Sequence, residues 1–163
     1  PAVRAMPNRP ALVGAGATGL YAAPSVGDAQ RALATELMSA TGLAVWVDDE
    51  AQIDTVTALS GSGPAYFFRL AELMAEAATA AGLAPEVARQ LAAQTLAGAA
   101  RLVAAEAEPD LAAMRAAVTS KGGTTAAALA VFDGQGLPAL VQAAMRAAAE
   151  RSRELADDSA GRK

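Results

Sequence analysis

The chain has 163 residues, 47 of them alanine and 14 glycine; 53% are hydrophobic but only 4% aromatic. A core of Ala, Leu and Val methyls gains little per contact, so its helices must approach closely over long interfaces. Lys+Arg number 13 against 17 Asp+Glu (net charge -4), and there is no Cys and no His, which disfavours a nucleic-acid partner and removes disulfides, thiolate nucleophiles, imidazole bases and the ordinary zinc sets, so no metal site is expected.

The first 24 residues differ in texture from the rest. Val3 to Met6 is a short apolar run, Met6-Pro7-Asn8 reads as a turn, and Ala11 to Ala23 mixes small residues with glycine, so strands and loops are expected. The uncharged run Pro10 to Gly27 is 18 residues long, but its four glycines and two prolines bar it from spanning a membrane as a helix. No charged segment followed by an apolar one opens the chain, so a cytoplasmic location without a membrane partner is expected. The opening at Pro1, with neither a Met nor a helix start, suggests a piece of a longer protein.

Ser25 can N-cap a helix that carries Ala29, Leu33, Leu37 and Met38 on one face and ends near Gly42. Val45, Trp46 and Val47 predict one brief extended segment, and everything afterwards is helical in character. A helix is expected from Asp49 to about Leu59, broken by Ser60-Gly61-Ser62-Gly63-Pro64, with Pro64 restarting a helix to about Ala81. That helix has only a narrow polar stripe of Arg69, Glu72 and Glu76, so it should be mostly buried. Pro85 opens the next, to about Ala107, uncharged between Arg89 and Arg101 and lined with Ala and Gly. A domain of this size cannot bury such a rod from all sides, which predicts that the helices interleave with those of a second chain. A monomeric bundle with loose Ala packing is the alternative. A short helix to Val118, another over Ala126 to Phe132 and a last one from Leu137 through Leu155 complete the chain, with Asp157 to Lys163 a frayed polar tail.

Two glycine-rich segments invite a ligand. Gly14-Ala15-Gly16-Ala17-Thr18-Gly19 fits G-x-G-x-x-G by letter, but Leu20 to Pro24 runs straight into a proline where a helix should open, no βαβ unit is expected to follow, and Glu36 falls within a helix. A glycine-rich extended segment is the better reading. Thr119-Ser120-Lys121-Gly122-Gly123-Thr124-Thr125 stands immediately before a helix, so backbone amides and hydroxyls can converge at its positive end. Such a nest suits a carboxylate or phosphate; plain helix capping is the alternative, and the surplus of hydroxyls favours an anion. Lys121 reads as a solvated loop lysine, Ser60 to Pro64 as a joint between helices rather than a second ligand loop, and Trp46 as a packing residue.

Ala2-Val3-Arg4-Ala5-Met6-Pro7-Asn8 with Pro10, Ala58 to Tyr66 and Val118 to Thr125, in this order and spacing, closely resemble pyrroline-5-carboxylate reductase from Val3 to about Leu155. The resemblance implies an oxidoreductase of proline biosynthesis that uses NADP or NAD to reduce 1-pyrroline-5-carboxylate to L-proline. It also implies a mainly α fold: a helical, interleaved dimerisation domain preceded by a short β/loop remnant of a Rossmann domain. The implied division is 1–24 as the end of the cofactor-binding domain, 25–156 as the helical dimerisation and substrate domain and 157–163 as a polar tail, in a homodimer or higher homo-oligomer.

By the same resemblance the substrate loop falls on Ser120, Gly122, Gly123, Thr124 and Thr125. Ser120 and the amides of Gly123 and Thr124 would hold the pyrroline carboxylate, and the Thr125 hydroxyl, the catalytic residue of the set, would bond the ring nitrogen. Met6, Pro7 and Asn8 resemble the turn beside the nicotinamide. Lys121 departs from the proline that many members carry there. The main cofactor-binding domain would lie before Pro1, so the isolated chain is expected to be inactive, and the competing reading is a non-catalytic helical oligomerisation module. Another helical-tailed dehydrogenase would need a catalytic Lys or acid after Pro85, where Gln90, Ala93, Gln94 and Ala97 offer none.

Overall fold

The structure, a computed structural model, describes residues 1–160, with side chains through Asp158. It divides into two compact units: Pro1–Tyr66 together with the chain from Gln142 onward, and Phe67–Val141. The helices Gly63–Ala80 (α3) and Leu137–Ala160 (α7) each run from one unit into the other.

The first unit carries a three-stranded sheet in the order β1 (Val3–Met6), β2 (Gly16–Ala22), β3 (Gly42–Trp46). β1 pairs antiparallel with β2, Met6 opposite Gly19, and β2 pairs parallel with β3, Gly16 beside Gly42 and Leu20 beside Trp46. A short 3-10 turn, Arg9–Val13, joins β1 to β2, and the helix α1 (Asp28–Ser39) joins β2 to β3. A βαβ unit, β2-α1-β3, is therefore present, against the sequence expectation. The glycine motif is nonetheless no phosphate cradle, because Gly16 and Gly19 lie within β2 itself, and α1 opens only at Asp28. Gly19 instead permits close approach: a Cβ there would stand 2.6 Å from Val56 Cγ1.

Two local expectations for α1 are corrected. Its N-cap is Gly27, whose N–H donates to Gln30 Oε1 at 3.0 Å; Ser25 falls in the turn closed by the Val26 N–H on the Ala23 carbonyl. Its inner face is Arg31, Ala34, Thr35 and Met38, while Leu33 and Leu37 are exposed. Trp46 sets this rotation: its Nε1–H donates to Thr35 Oγ1 at 2.9 Å and its ring lies under the Arg31 guanidinium at 4.4 Å. A polar tether and a cation–π contact outweigh the apolar periodicity on a helix whose leucines find no partner in this unit.

The helix expected from Asp49 to Leu59 is shorter and changes character. α2 (Gln52–Val56) passes into a π-helical turn, Thr57–Gly61, closed by the Ser62 N–H on the Thr57 carbonyl at 2.8 Å, and α3 begins at Gly63. Ser60 to Pro64 is thus a widened turn in a nearly continuous rod rather than a break. Leu20, Ile53 and Ala58 form the buried core here, and the buried Asp54 accepts from Ser152 Oγ of α7 at 2.7 Å.

The second unit comprises most of α3, then α4 (Pro85–Ala105), α5 (Leu111–Ala117), α6 (Thr124–Gly134) and the start of α7. Asp110 caps α5 by accepting from the Ala112 and Ala113 amides at 2.9 and 3.0 Å. α6 starts two residues earlier than expected, and α7 continues past Leu155 through Ala160; residues 161–163 of the expected polar tail lie outside the described residues. Only Ala75 and Ala88 are buried in this unit. α3, expected to be mostly buried, exposes Phe67 (62%) and Phe68 (63%), because the described residues provide too little apolar surface to cover that face. None of the described helices is long and apolar enough to cross a membrane.

Candidate functional site

The loop between α5 and α6 forms the candidate anion site. Thr119 follows the end of α5, its amide donating to the Ala116 carbonyl and its hydroxyl to the Arg115 carbonyl at 2.6 Å. The chain then reverses: the Gly123 N–H donates to the Ser120 carbonyl at 3.0 Å, and Gly122 takes φ +72, a left-handed conformation that glycine alone adopts freely. Gly123 is the N-cap of α6, with no side chain to satisfy the first turn, and its carbonyl accepts from the Ala127 amide at 3.1 Å.

The amides of Thr124, Thr125 and Ala126 therefore have no partner among the described residues. The hydroxyls of Ser120, Thr124 and Thr125 make no hydrogen bond among the described residues. Elsewhere in the helices Thr35, Thr57, Ser60 and Thr79 donate back to a carbonyl four residues earlier. A first turn with three unpaired N–H groups, three free hydroxyls and a positive dipole end is suited to a carboxylate. Ser120, Gly122, Gly123, Thr124 and Thr125 are thus brought together on one turn. Gly123 contributes close approach rather than a free amide, since its N–H is taken by Ser120; the Ala126 amide, the third orphan of the turn, was missed by sequence reasoning although any helix start leaves it unpaired.

Met6, Pro7 and Asn8 lie in the other unit, at the end of β1. Asn8 accepts from the Ala17 N–H through Oδ1 at 2.9 Å and donates from Nδ2 to the Ser60 carbonyl at 2.9 Å. Met6 lies against the same turn, its Cε 2.8 Å from where a Cβ on Gly61 would sit. Two motifs about fifty residues apart in sequence are thus in direct contact, which no local pattern announced.

The second unit also carries a groove of about 1060 Å³ along α3 and α4, floored by Ala71, Ala75, Ala92, Ala93, Leu96 and Ala97. Its lining includes Glu72, Glu76 and Arg89, which are ion-paired: Arg69 pairs with Glu72 at 2.6 Å and with Glu76 at 3.4 Å, and Arg89 pairs with Glu86. An alanine floor bordered by paired charges is the form of a helix-docking surface rather than of a catalytic cleft.

The family model described as "Pyrroline-5-carboxylate reductase dimerisation" matches residues 50–155. Pyrroline-5-carboxylate reductase of Pseudomonas aeruginosa is 52% identical over 158 residues, 96% of this chain and 57% of that protein. The Haemophilus influenzae enzyme of the same name is 47% identical over 153 residues, 94% of this chain and 56% of that protein. Among solved structures, a pyrroline-5-carboxylate reductase from Coxiella burnetii matches with a TM-score of 0.87 at 47% identity, over 94% of this chain and 56% of that one. A Plasmodium falciparum pyrroline carboxylate reductase with NADP bound matches at 0.77 and 29%, over 93% and 62%. The chain spans just over half the length of these relatives.

Proposed function

The chain belongs to the pyrroline-5-carboxylate reductase family, and from that premise we propose that the complete protein reduces 1-pyrroline-5-carboxylate to L-proline with NADPH or NADH, in the cytoplasm, as a homodimer or a larger ring of dimers. The observation that carries this reading is the α6 start, where the first-turn amides and the hydroxyls of Ser120, Thr124 and Thr125 have no hydrogen-bond partner among the described residues at a helix N-terminus. The residues fit a small cyclic amino acid. The Thr124, Thr125 and Ala126 amides and the Ser120 hydroxyl hold its carboxylate, and the Thr125 hydroxyl reaches the ring nitrogen.

The segment Gly14 to Gly19 offers the cofactor's phosphates no cradle, because its glycines are spent on a turn and on strand packing. Met6 and Pro7 present an apolar surface suited to the face of a nicotinamide. When bound, the reduced nicotinamide supplies a hydride to C5 of the imine. The chain's own task is orientation: it fixes the ring by its carboxylate, aligns C5, and offers a hydroxyl to the nitrogen that becomes the product amine. A protonated imine is already electrophilic, so no histidine is needed.

Thr125→Ala in the complete protein is expected to lower kcat/KM by roughly 5- to 150-fold, the effect of about 1 to 3 kcal/mol of lost transition-state bonding, with dimerisation unchanged. Unaltered kinetics would remove Thr125 from the site. The near-absence of a core in the Phe67–Val141 unit favours one further reading, that the chain, isolated from the cofactor-binding domain, is a non-catalytic helical oligomerisation module. Under it, the isolated chain dimerises without turning over substrate.

A further inference from the structure

We infer that Asn8 is a positioning residue rather than a ligand contact, a reading that rests on the proposed reductase function: its amide clasps the π-helical turn Thr57–Gly61 to the Met6-Pro7 turn and so holds Met6 where the nicotinamide would lie. Both ends of the amide are engaged within the chain, Oδ1 by the Ala17 N–H and Nδ2 by the Ser60 carbonyl, each at 2.9 Å. The pairing fixes its orientation, since a flipped amide would set N–H against N–H and oxygen against oxygen.

The clasp acts where the backbone most needs it. A π turn is an uncommon conformation that leaves the helix wider than its own hydrogen bonds prefer, and such turns recur at functional positions. Here Ser60 Oγ donates to the Val56 carbonyl, Thr57 Oγ1 to the Ile53 carbonyl, and the Ser62 N–H to the Thr57 carbonyl. Those three bonds are local. Asn8 supplies the long-range one, 52 residues away in sequence, which decides where the turn sits relative to β1.

Met6 completes the device. Its Cε occupies the space that the missing Cβ of Gly61 leaves open, at 2.8 Å from that position. The thioether end is flexible by itself, and the packed turn confines it. Loss of the Asn8–Ser60 bond therefore frees the turn and Met6 together, while the Ser120 to Thr125 loop, in the other unit, keeps its own bonds.

The test uses the complete protein with Asn8→Ala and Asn8→Asp. The aspartate keeps an acceptor for the Ala17 N–H but sets an oxygen against the Ser60 carbonyl, so it separates the two links and serves if the alanine variant fails to fold. Both variants are expected to lower kcat by about tenfold, with KM for pyrroline-5-carboxylate and the dissociation constant of the cofactor each changed less than about threefold. Hydrogen exchange at the Ser62 amide should quicken by about tenfold in both. Unchanged kcat in an active protein, or a cofactor dissociation constant raised as far as kcat/KM falls, overturns the inference. If the unsubstituted protein reduces no pyrroline-5-carboxylate, the functional reading fails by itself; Ser62 exchange then decides the clasp, and unaltered exchange overturns it.

Discussion

Gly123→Ala probes the candidate anion site through a geometric detail. The backbone at Gly123, φ −81 and ψ 176, is open to any residue, so the substitution stores no backbone strain. The added methyl would overlap Ser120 Oγ and stand 3.2 Å from the Ser120 carbonyl oxygen. The hydroxyl is the cheaper group to move: a jump to another staggered rotamer shifts it by roughly 2 Å, out of hydrogen-bonding reach of a ligand. A lost hydrogen bond to a carboxylate costs about 1.5 to 3 kcal/mol, or roughly 10- to 150-fold. Alanine is a poorer N-cap than glycine, so stability should fall by about 1 kcal/mol at most. Steady-state kinetics with pyrroline-5-carboxylate and calorimetry with L-proline should show the loss mainly in KM and in proline affinity. In a Ser120→Ala background the same change should cost less than about threefold, because the displaced hydroxyl is already gone. Independent, multiplying losses from the two substitutions would refute the argument that Gly123 acts through Ser120.

Two further outcomes follow from the helical unit. Ala97→Glu places a carboxylate on the floor of the groove along α3 and α4; at about 3 kcal/mol per unpaired charge and two copies in a symmetric dimer, the dissociation constant should rise by roughly 10⁴-fold, and an unchanged sedimentation coefficient at micromolar concentration would show that this face is not the interface. The Glu86 carboxyl is held below the usual glutamate range, first by its hydrogen bond from Arg89 and then by that from Gln90. Its contribution to the start of α4 is therefore present above the ordinary glutamate value and lost as pH falls through the lowered one. NMR titration should show the low midpoint in the natural sequence and its return toward the ordinary value in Arg89→Ala.

What could be read from the sequence is what chemistry within a few residues decides. Proline punctuation placed α3 and α4 close to their observed bounds, because Pro64 and Pro85 suit a helix start. The tight entry to α6 was equally legible, since Gly122 and Gly123 before a helical stretch are what such a turn needs. The three motifs in order pointed to the family. The failures lie where distant groups meet. The face of α1 was misread because Trp46 on β3, rather than helical periodicity, rotates it. The βαβ unit was missed because strand pairing of β2 with β3 is not written in either strand alone. Asn8 reads as a turn residue until tertiary structure brings Ser60 to its amide. Local propensity and capping act over about four residues and are encoded there, whereas a hydrogen bond across fifty residues exists only once the chain has folded.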